Sequence, residues 1–233
     1  MVDPLFQAKV QCPCCEKTFL SSRVRPSFRK AIRTDSDFCA HYKDDVNPDF
    51  YVVRICPYCG YASTENMKQE LTPRQKEMYM ERIGKSWVHR DLGGKRTWEE
   101  ALDAYKRALL CAQTVGESER VIAGLLHHIA WLYRLRNIED QELRFLRYAL
   151  EEYIHVYERE GANINNARLM YLIGELHRRL NEPYEAVKWF ARVVNDKRIM
   201  DAAMIKASRE AWQNLREEMT AKRMEMPDEV ELL

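Results

Sequence analysis

The sequence lacks the features that mark exported proteins, membrane proteins and several common classes of enzyme. No apolar run approaches the roughly 18 residues that a membrane-spanning helix needs. The N-terminus has neither the basic region nor the apolar region of a signal peptide. The chain also has no phosphate-binding glycine loop, no nucleophile elbow and no metalloprotease helix. We therefore expect a cytoplasmic protein that has no membrane partner and is not an enzyme.

The chain also has little net charge and few glycines and prolines. The formal net charge is only +1 over 233 residues, although 31% of the residues are charged. This balance argues against a chain that coats nucleic acid over its whole surface and against an acidic, disordered chain. The chain has 8 glycines and 8 prolines, most of them within the first hundred residues. The rest of the sequence can therefore form long, uninterrupted helices.

The strongest chemical signal is a pair of cysteine motifs. Residues 12–15 (Cys-Pro-Cys-Cys) and 56–59 (Cys-Pro-Tyr-Cys) share the spacing Cys-Pro-x-Cys, and Gly60 lets the backbone approach a metal without a Cβ clash. Each turn aims two thiols at one point, and a tetrahedral zinc ion takes four ligands. We predict one structural zinc ion with four cysteine ligands: Cys12, Cys15, Cys56 and Cys59. In a chain without an export signal, metal binding is expected rather than a disulfide framework.

Several interpretations of the remaining thiols stay open. Cys14 could replace Cys15 as a ligand, although the resulting Cys-x-Cys spacing fits the turn less well. Four thiolates suit iron as well as zinc. Cys39 and His41 could form a second metal site or a reactive thiol beside a base, and the alternative is that Cys39 is a buried structural cysteine.

Residues 1–70 predict a small zinc-ribbon-like β module with a helical insert. Strand-like segments leave the first cysteine motif at residues 16–20 and enter the second at residues 50–55. The insert carries a run of basic side chains without an intervening acid: Arg23, Arg25, Arg29, Lys30 and Arg33. This run could contact a phosphate backbone, or it could be the solvated face of a helix. The second interpretation is favoured because no aromatic RNA-binding signature accompanies the run.

Residues 71–233 predict a tetratricopeptide-like α-α superhelix, so the fold class is mainly α. Thr72 and Pro73 start a helix that should run to about residue 88, and Thr97 opens the next helix with a capping box. Within residues 167–195, Gly174 and Phe190 follow the spacing of a helical repeat. The small residue lets two antiparallel helices approach closely, and the aromatic ring fills the remaining hole. A generic helical bundle is the alternative.

The repeat register places one set of aromatic and charged side chains along a concave groove. The set comprises His127, Trp131, Arg134, Arg168, Tyr171, Glu175 and Arg178. Aromatic rings and arginines suit an extended acidic peptide or a C-terminal carboxylate. The alternative is that these are ordinary, partly exposed residues.

Motifs along nearly the whole chain resemble those of a bacterial family, the domain-of-unknown-function family 2225. The resemblance rests on Pro4-Leu5, the two cysteine motifs with Gly60-Tyr61-Ala62, residues 35–39 (Asp-Ser-Asp-Phe-Cys), and the spacing of Asn47, Pro48 and Tyr51. The resemblance implies a bacterial cytoplasmic protein and agrees with a metal site, and it implies no particular activity. Cys14 is the one residue that departs from the pattern.

Three functions fit these features. The favoured one is a non-enzymatic, zinc-binding interaction or scaffold protein whose helical repeats bind a protein or peptide. A thiol-based redox or metal sensor would use Cys14 and Cys39, and a nucleic-acid-binding regulator would use residues 23–33. An enzyme, the least favoured interpretation, would require Asp35, Asp37 and Cys39 to gather with His41 at a cleft.

Overall fold

The computed structural model describes residues 2–43, 46–160 and 166–224. Contacts divide the chain into two compact units, residues 1–142 and 143–233. The boundary predicted near residue 70 is the point where strands give way to helices. The first compact unit nevertheless extends to Glu142, because the first helices after the strands pack against the β structure.

Three antiparallel hairpins make up the β structure of the described residues. They are β1 (Leu5–Gln11) with β2 (Thr18–Val24), β3 (Ala31–Thr34) with β4 (Ala40–Tyr42), and β5 (Arg54–Ile55) with β6 (Ala62–Ser63). The first and third hairpins carry the two cysteine motifs at their turns. The predicted order of strand, cysteine turn and strand is therefore confirmed in both halves.

The described residues of the insert between the two cysteine hairpins form no α-helix. It contains the β3–β4 hairpin and two short 3-10 helices, Pro26–Phe28 and Pro48–Tyr51. Each proline begins one turn of 3-10 helix, and neither turn continues. The basic run therefore does not share a helix face, and that part of the prediction is wrong. The strand predicted over residues 50–55 is also wrong in length, since only Arg54 and Ile55 pair.

Seven α-helices occupy most of the other described residues. They are α1 (Pro73–Arg82), α2 (Trp98–Val115), α3 (Glu119–Arg134), α4 (Glu139–Glu160), α5 (Ala167–Arg179), α6 (Pro183–Asn195) and α7 (Ala202–Ala221). The predicted mainly α fold with a small N-terminal β module is confirmed. Among the described residues, no helix has both the length and the apolar composition that crossing a membrane requires.

The predicted helix starts are confirmed in atomic detail. Thr72 and Thr97 each accept a hydrogen bond from the backbone N–H three residues later, and the glutamine or glutamate there bonds back to the cap. Helix α1 ends at Arg82, earlier than predicted, because the chain turns through a 3-10 helix at Gly84–Ser86. This early turn brings Trp87 back toward the second cysteine motif, where its indole donates to the carbonyl of Pro57 at 2.8 Å.

Close packing of α5 against α6 organises the second unit. A Cβ at Gly174 would lie 2.8 Å from the ring of Phe190 and 3.2 Å from the Cβ of Trp189. The predicted pairing of a small residue with an aromatic ring is thus confirmed. Helix α7 packs against both α5 and α6, and Asp201 caps its first turn by accepting from the N–H of Met204.

Gly174 and Gly124 provide a matched pair of glycine-to-alanine substitutions inside helices. A Cβ at Gly124 would have no described neighbour within 4 Å, in contrast to Gly174. We expect Gly174→Ala to lower the free energy of unfolding by about 1–3 kcal/mol through overpacking. Gly124→Ala should raise it by about 0.5–1 kcal/mol through better helix propensity. Urea denaturation followed by circular dichroism measures both, and a stabilising effect of Gly174→Ala would contradict the packing argument.

Candidate metal centre

Each cysteine pair lies in a turn with the same backbone hydrogen bonds. In the first turn, the N–H of Cys12 donates to the carbonyl of Lys17 at 3.0 Å, and the N–H of Glu16 donates to the carbonyl of Cys12 at 2.9 Å. The second turn repeats both bonds around Cys56, at 2.9 and 2.8 Å. The shared spacing in the sequence therefore produces two copies of one local structure.

Both turns need a residue with left-handed backbone conformation just after the second thiol. Gly60 has φ 72°, and Glu16 takes the equivalent position with φ 62°. A Cβ at Gly60 would clash with both Trp87 and Arg107. Packing against these side chains therefore requires glycine, its φ favours glycine, and a close approach of the backbone to a metal stays a prediction.

The two turns bring four thiols to one point. The sulfurs of Cys12 and Cys59 lie 3.6 Å apart, as do those of Cys15 and Cys56, and all four lie within 4.8 Å of one another. A zinc ion with Zn–S bonds of about 2.3 Å requires sulfur–sulfur edges of about 3.8 Å, close to these distances. A disulfide would require about 2.05 Å. The four predicted ligands therefore form a group that can hold one tetrahedral metal ion.

The electrostatics of this group also favour a cation. Hydrogen bonds from Cys12 and Cys59 lower the pKa of Cys56 to about 2. The contact with Cys56 raises the pKa of Cys12, and contacts with Cys12, Cys14 and Cys56 raise the pKa of Cys59, both above the ordinary range. Four acidic groups this close cannot all ionise by themselves, because each thiolate raises the pKa of the next. A divalent metal ion would allow all four to be thiolates.

Three side chains from beyond the cysteine motifs fix the second turn in place. The hydroxyl of Tyr79 donates to the carbonyl of Cys59 at 2.8 Å. Arg107 donates through Nε to the carbonyl of Gly60, and its guanidinium lies 4.2 Å from the ring centroid of Trp87. Sequence reasoning missed these residues, since nothing in their local pattern connects α1 and α2 with the cysteines.

The other cysteines occupy different environments. Cys14 is buried beside the group, and a hydrogen bond with Cys59 lowers its pKa. The group within metal-binding distance contains Cys15 and not Cys14. Cys111 is fully buried on α2 and accepts a hydrogen bond from the N–H of Ala62 at 3.4 Å. Its expected place in the core is confirmed.

A second cluster forms around the carboxylate of Asp37, which is fully buried. Arg134 donates to both of its oxygens, at 2.9 and 2.7 Å, and the indole of Trp131 donates to Oδ2 at 3.1 Å. The Nε2 of His127 lies 3.3 Å from the same oxygen. The insert reaches α3 through a turn in which Phe38 has φ 70° and the N–H of Asp35 donates to the carbonyl of Cys39 at 2.8 Å.

This arrangement changes the interpretation of the predicted groove. His127, Trp131 and Arg134 do recognise a carboxylate, but the carboxylate belongs to Asp37 of the same chain. Burial alone would raise the pKa of Asp37, yet hydrogen bonds from His127 and Arg134 hold that pKa well below its usual range. Burial lowers the pKa of His127 and outweighs the hydrogen bond with Asp37, which raises it.

The Asp35, Cys39 and His41 side chains also gather, with ligand atoms within 4.8 Å of one another. Asp35 already accepts from Arg134 at 3.0 Å and lies 2.9 Å from the Nε2 of His41. Burial raises the pKa of Cys39 to about 12. Because Arg134 already occupies Asp35 and the thiol of Cys39 is un-ionised, this cluster is less suited to a cation than the four-cysteine group. The same observations favour a structural role for Cys39.

The other predicted groove residues lie on α5 in the second unit. Glu175 is fully buried and pairs with Arg178 at 2.6 Å, and Tyr171 is also buried, with its ring 5.8 Å from that of Phe190. Arg168 is exposed. The charge of Arg178 is therefore already paired with Glu175, so Arg178 would attract an acidic peptide less strongly.

The predicted nucleic-acid residues are dispersed over strands and a turn. Arg23 pairs with Glu65 at 2.7 Å, and Arg25 donates through Nε to the carbonyl of Asp3 at 2.9 Å. Arg29 donates to the carbonyl of Val24, and Lys30 is exposed. Arg33 lies beside the ring of His41. Nucleic-acid binding by this run stays a prediction.

Fold and site together define a mainly helical protein with an N-terminal pair of hairpins that gather four cysteines. The chain belongs to the DUF2225 family, described as an uncharacterized protein conserved in bacteria, whose profile matches residues 5–215. The family resemblance noted from the motifs is thereby confirmed. Comparison with curated proteins found no match.

The site predicts which cysteine substitutions release a metal ion. We expect one ion per chain in native mass spectrometry, and its loss in Cys15→Ser and Cys56→Ser because three thiolates no longer close the tetrahedron. Cys14→Ser is the matched control, since its thiol adjoins the group without belonging to it. Retention of the ion in Cys15→Ser and its loss in Cys14→Ser would assign the fourth ligand to Cys14.

The Asp37 cluster predicts a large and pH-dependent contribution to stability. Asp37→Asn should lower the free energy of unfolding at pH 7 by about 1–3 kcal/mol, because it removes the buried carboxylate that accepts two hydrogen bonds from Arg134, although Asp35 and Glu142 still pair with that arginine. Asp35→Asn is the control and should cost less, since Asp35 is partly exposed. Because the folded pKa is depressed, Asp37 stabilises the fold above its unfolded pKa of about 4.

The difference between wild type and Asp37→Asn should therefore narrow as the pH falls below that value. Urea denaturation at a series of pH values measures it. A difference that is small at pH 7, or that widens in acid, would contradict the charged state assigned to Asp37.

Proposed function

We propose that the protein is a non-enzymatic, zinc-binding interaction protein, in which the metal ion folds the β module and the helices bind a protein or peptide partner. The observation that carries this proposal is the closed donor set. Four cysteine sulfurs surround one point, and three of them belong to buried residues. A catalytic zinc keeps one position open for water or substrate, whereas four thiolates leave none.

Zinc is the metal we propose for this site. Four thiolates with tetrahedral spacing are the usual ligands of structural zinc, and the small hairpins around them have little core of their own. The same donor set can hold iron. Elemental analysis of protein purified without an affinity metal discriminates the two, and one iron per chain would overturn the assignment. We also propose a cytoplasmic location, where such thiols stay reduced.

The helical unit supports a partner-binding role. The close Gly174–Phe190 contact between α5 and α6 agrees with the predicted tetratricopeptide-like repeat, a scaffold that commonly presents binding surfaces. A groove of about 820 Å³ also runs along α7, lined by Val194, Trp212 and the flanking Arg209 and Arg216. The indole N–H of Trp212 is buried there without a hydrogen-bond partner among the described residues.

The chemistry of this groove suits a short peptide with apolar and acidic side chains. An apolar side chain would cover the ring of Trp212, and a peptide carbonyl or carboxylate would accept from its N–H. Arg209 and Arg216 line the groove together with one acid, Glu217, so the lining has a formal charge of +1 that an acidic residue of the peptide would offset. We favour this groove over the predicted one, because Arg134 of the predicted set already pairs with Asp37 and Arg178 already pairs with Glu175.

A second candidate function is thiol-based sensing, which is favoured by the contact between Cys14 and the ligand Cys59. A fifth thiol next to a four-thiolate site could exchange with a ligand when one is oxidised. In that case peroxide would release the metal ion more slowly from Cys14→Ser than from wild type. Equal release rates would leave Cys14 with a structural role.

A displayed library of random peptides tests the partner-binding proposal. We expect wild-type protein to enrich apolar, acidic sequences, and we expect Trp212→Ala to bind a synthetic copy of them at least about tenfold more weakly, as for a buried aromatic anchor. Tyr184→Ala is the control, since Tyr184 is an exposed aromatic residue of α6 that does not line the groove. An absence of enrichment, or equal losses in both variants, would count against this groove.

A further inference from the structure

A cavity of about 240 Å³ in the first unit is lined by three arginines that the metal site does not use. It lies between the β1–β2 hairpin, the 3-10 helix at Pro48–Tyr51 and the strand that leads into Cys56. Its polar lining consists of Arg23, Arg29, Arg54, Thr64, Glu65 and Asn66. Sequence reasoning singled out Arg23 and Arg29 as basic residues but gave no role to Arg54.

Arg54 is the unusual member of this lining. Arg54 is only 8% exposed, and its Nε is buried without a hydrogen-bond partner among the described residues. Within the described part of the chain, no carboxylate pairs with Arg54. A buried guanidinium is costly unless an anion and hydrogen-bond acceptors offset the lost hydration. Arg96, which is also buried, differs from Arg54 because its guanidinium donates to the carbonyls of Leu92, Phe50 and Val53.

The charges around the cavity do not balance. Glu65 is the one acid in the lining; it pairs with Arg23 at 2.7 Å, and its side chain is 68% exposed. Arg29 uses its Nε to donate to the carbonyl of Val24 at 2.7 Å, which holds its guanidinium at the cavity. Three arginines and one glutamate give the lining a formal charge of +2. A dianion would offset this charge.

We propose that this cavity binds the phosphate group of a small phosphomonoester. A phosphomonoester carries close to two negative charges at pH 7, and guanidinium groups pair with its oxygens in bidentate geometry. The hydroxyl of Thr64 and the amide of Asn66 are additional donors at the same wall. The proposal does not depend on the partner-binding function and uses none of the metal ligands.

An adjoining cavity provides space for the rest of the ligand. This second cavity has a volume of about 440 Å³ and shares Val52, Thr64 and Asn66 with the first. Its other walls include Tyr105 and His128, whose rings stack at 5.4 Å. An apolar and aromatic wall next to a cationic pocket fits an organic body attached to the phosphate better than free phosphate alone.

Isothermal titration with inorganic phosphate and with phenyl phosphate, at constant ionic strength, tests the proposal. We expect one saturable site per chain and tighter binding of phenyl phosphate than of phosphate. Arg54→Gln should weaken both by at least about tenfold, because it removes a desolvated charge contact. Lys30→Gln is the matched control: it removes an exposed charge next to Arg29 and outside the lining, and should change affinity by less than about twofold.

Two further measurements keep the result decisive if Arg54→Gln folds poorly. Metal content and circular dichroism establish whether this variant keeps the wild-type fold, and Arg23→Gln alters a more exposed side chain of the same cavity. Arg23→Gln should also weaken phosphate binding. Absence of saturable binding to wild type, or equal affinities in wild type, Arg54→Gln and Arg23→Gln, would overturn the proposal.

Single-stranded oligonucleotides with and without a 5′-phosphate separate a small-molecule ligand from nucleic acid. We expect neither to bind more tightly than phenyl phosphate. Tighter binding of the 5′-phosphorylated strand would assign the pocket to a nucleic-acid end instead. Equal, salt-sensitive binding of both strands would indicate backbone contact by residues 23–33, and either outcome would overturn the small phosphomonoester.

Discussion

The convergence of four thiols is the constraint on which the first unit depends. Sulfurs 3.6 Å apart cannot all carry charge unless a cation lies between them. The hairpins that hold the thiols are short, and one buried apolar cluster beside them consists of Val24, Val46 and Tyr51 with a few partly buried neighbours. A metal ion bound by the four thiols would add its binding free energy to the stability of these hairpins. Tyr79, Trp87 and Arg107 then tie the same site to α1, to the following loop and to α2.

The Asp37 cluster shows how a chain can supply its own ligand. A histidine, a tryptophan and an arginine on one face of α3 form a good carboxylate site, and the insert fills it with a buried aspartate. Arg134 also pairs with Asp35 and Glu142, so three carboxylates, two of them from the insert, hold this side chain of α3. The side chains that the sequence assigned to an acidic partner thus contact a carboxylate of their own chain, and binding of a peptide stays a prediction.

The four-cysteine group directs attention to other surfaces for function. A metal ion held by four thiolates would have no coordination position left for a substrate. The arginine-lined cavity of the first unit and the Trp212 groove of the second each contain a buried donor that lacks a partner among the described residues, Arg54 in one and Trp212 in the other. Folded proteins rarely leave such groups unsatisfied without a reason. These two positions are where ligands would gain the most from binding.

Short-range sequence patterns determined a large part of this structure. Cysteine spacing, the capping boxes at Thr72 and Thr97, and the pairing of Gly174 with Phe190 each act within one turn or one helix pair, so they can be read from the chain. The sequence also indicated the mainly helical fold through its few glycines and prolines. The sequence-based prediction made α1 too long and placed a helix in the insert. Residue propensity does not determine which segments pair as hairpins.

Only the tertiary structure decided the long-range contacts. Arg134 meets Asp37 across 97 residues, Arg107 meets Gly60 across 47, and Arg54 has a cavity beside it instead of a partner. No local periodicity specifies such pairs, because a side chain's partner depends on how the whole chain packs and on which groups that packing removes from water. The sequence by itself therefore determined the elements and the donor types, and the packing decided which donors are satisfied within the chain and which remain for a ligand.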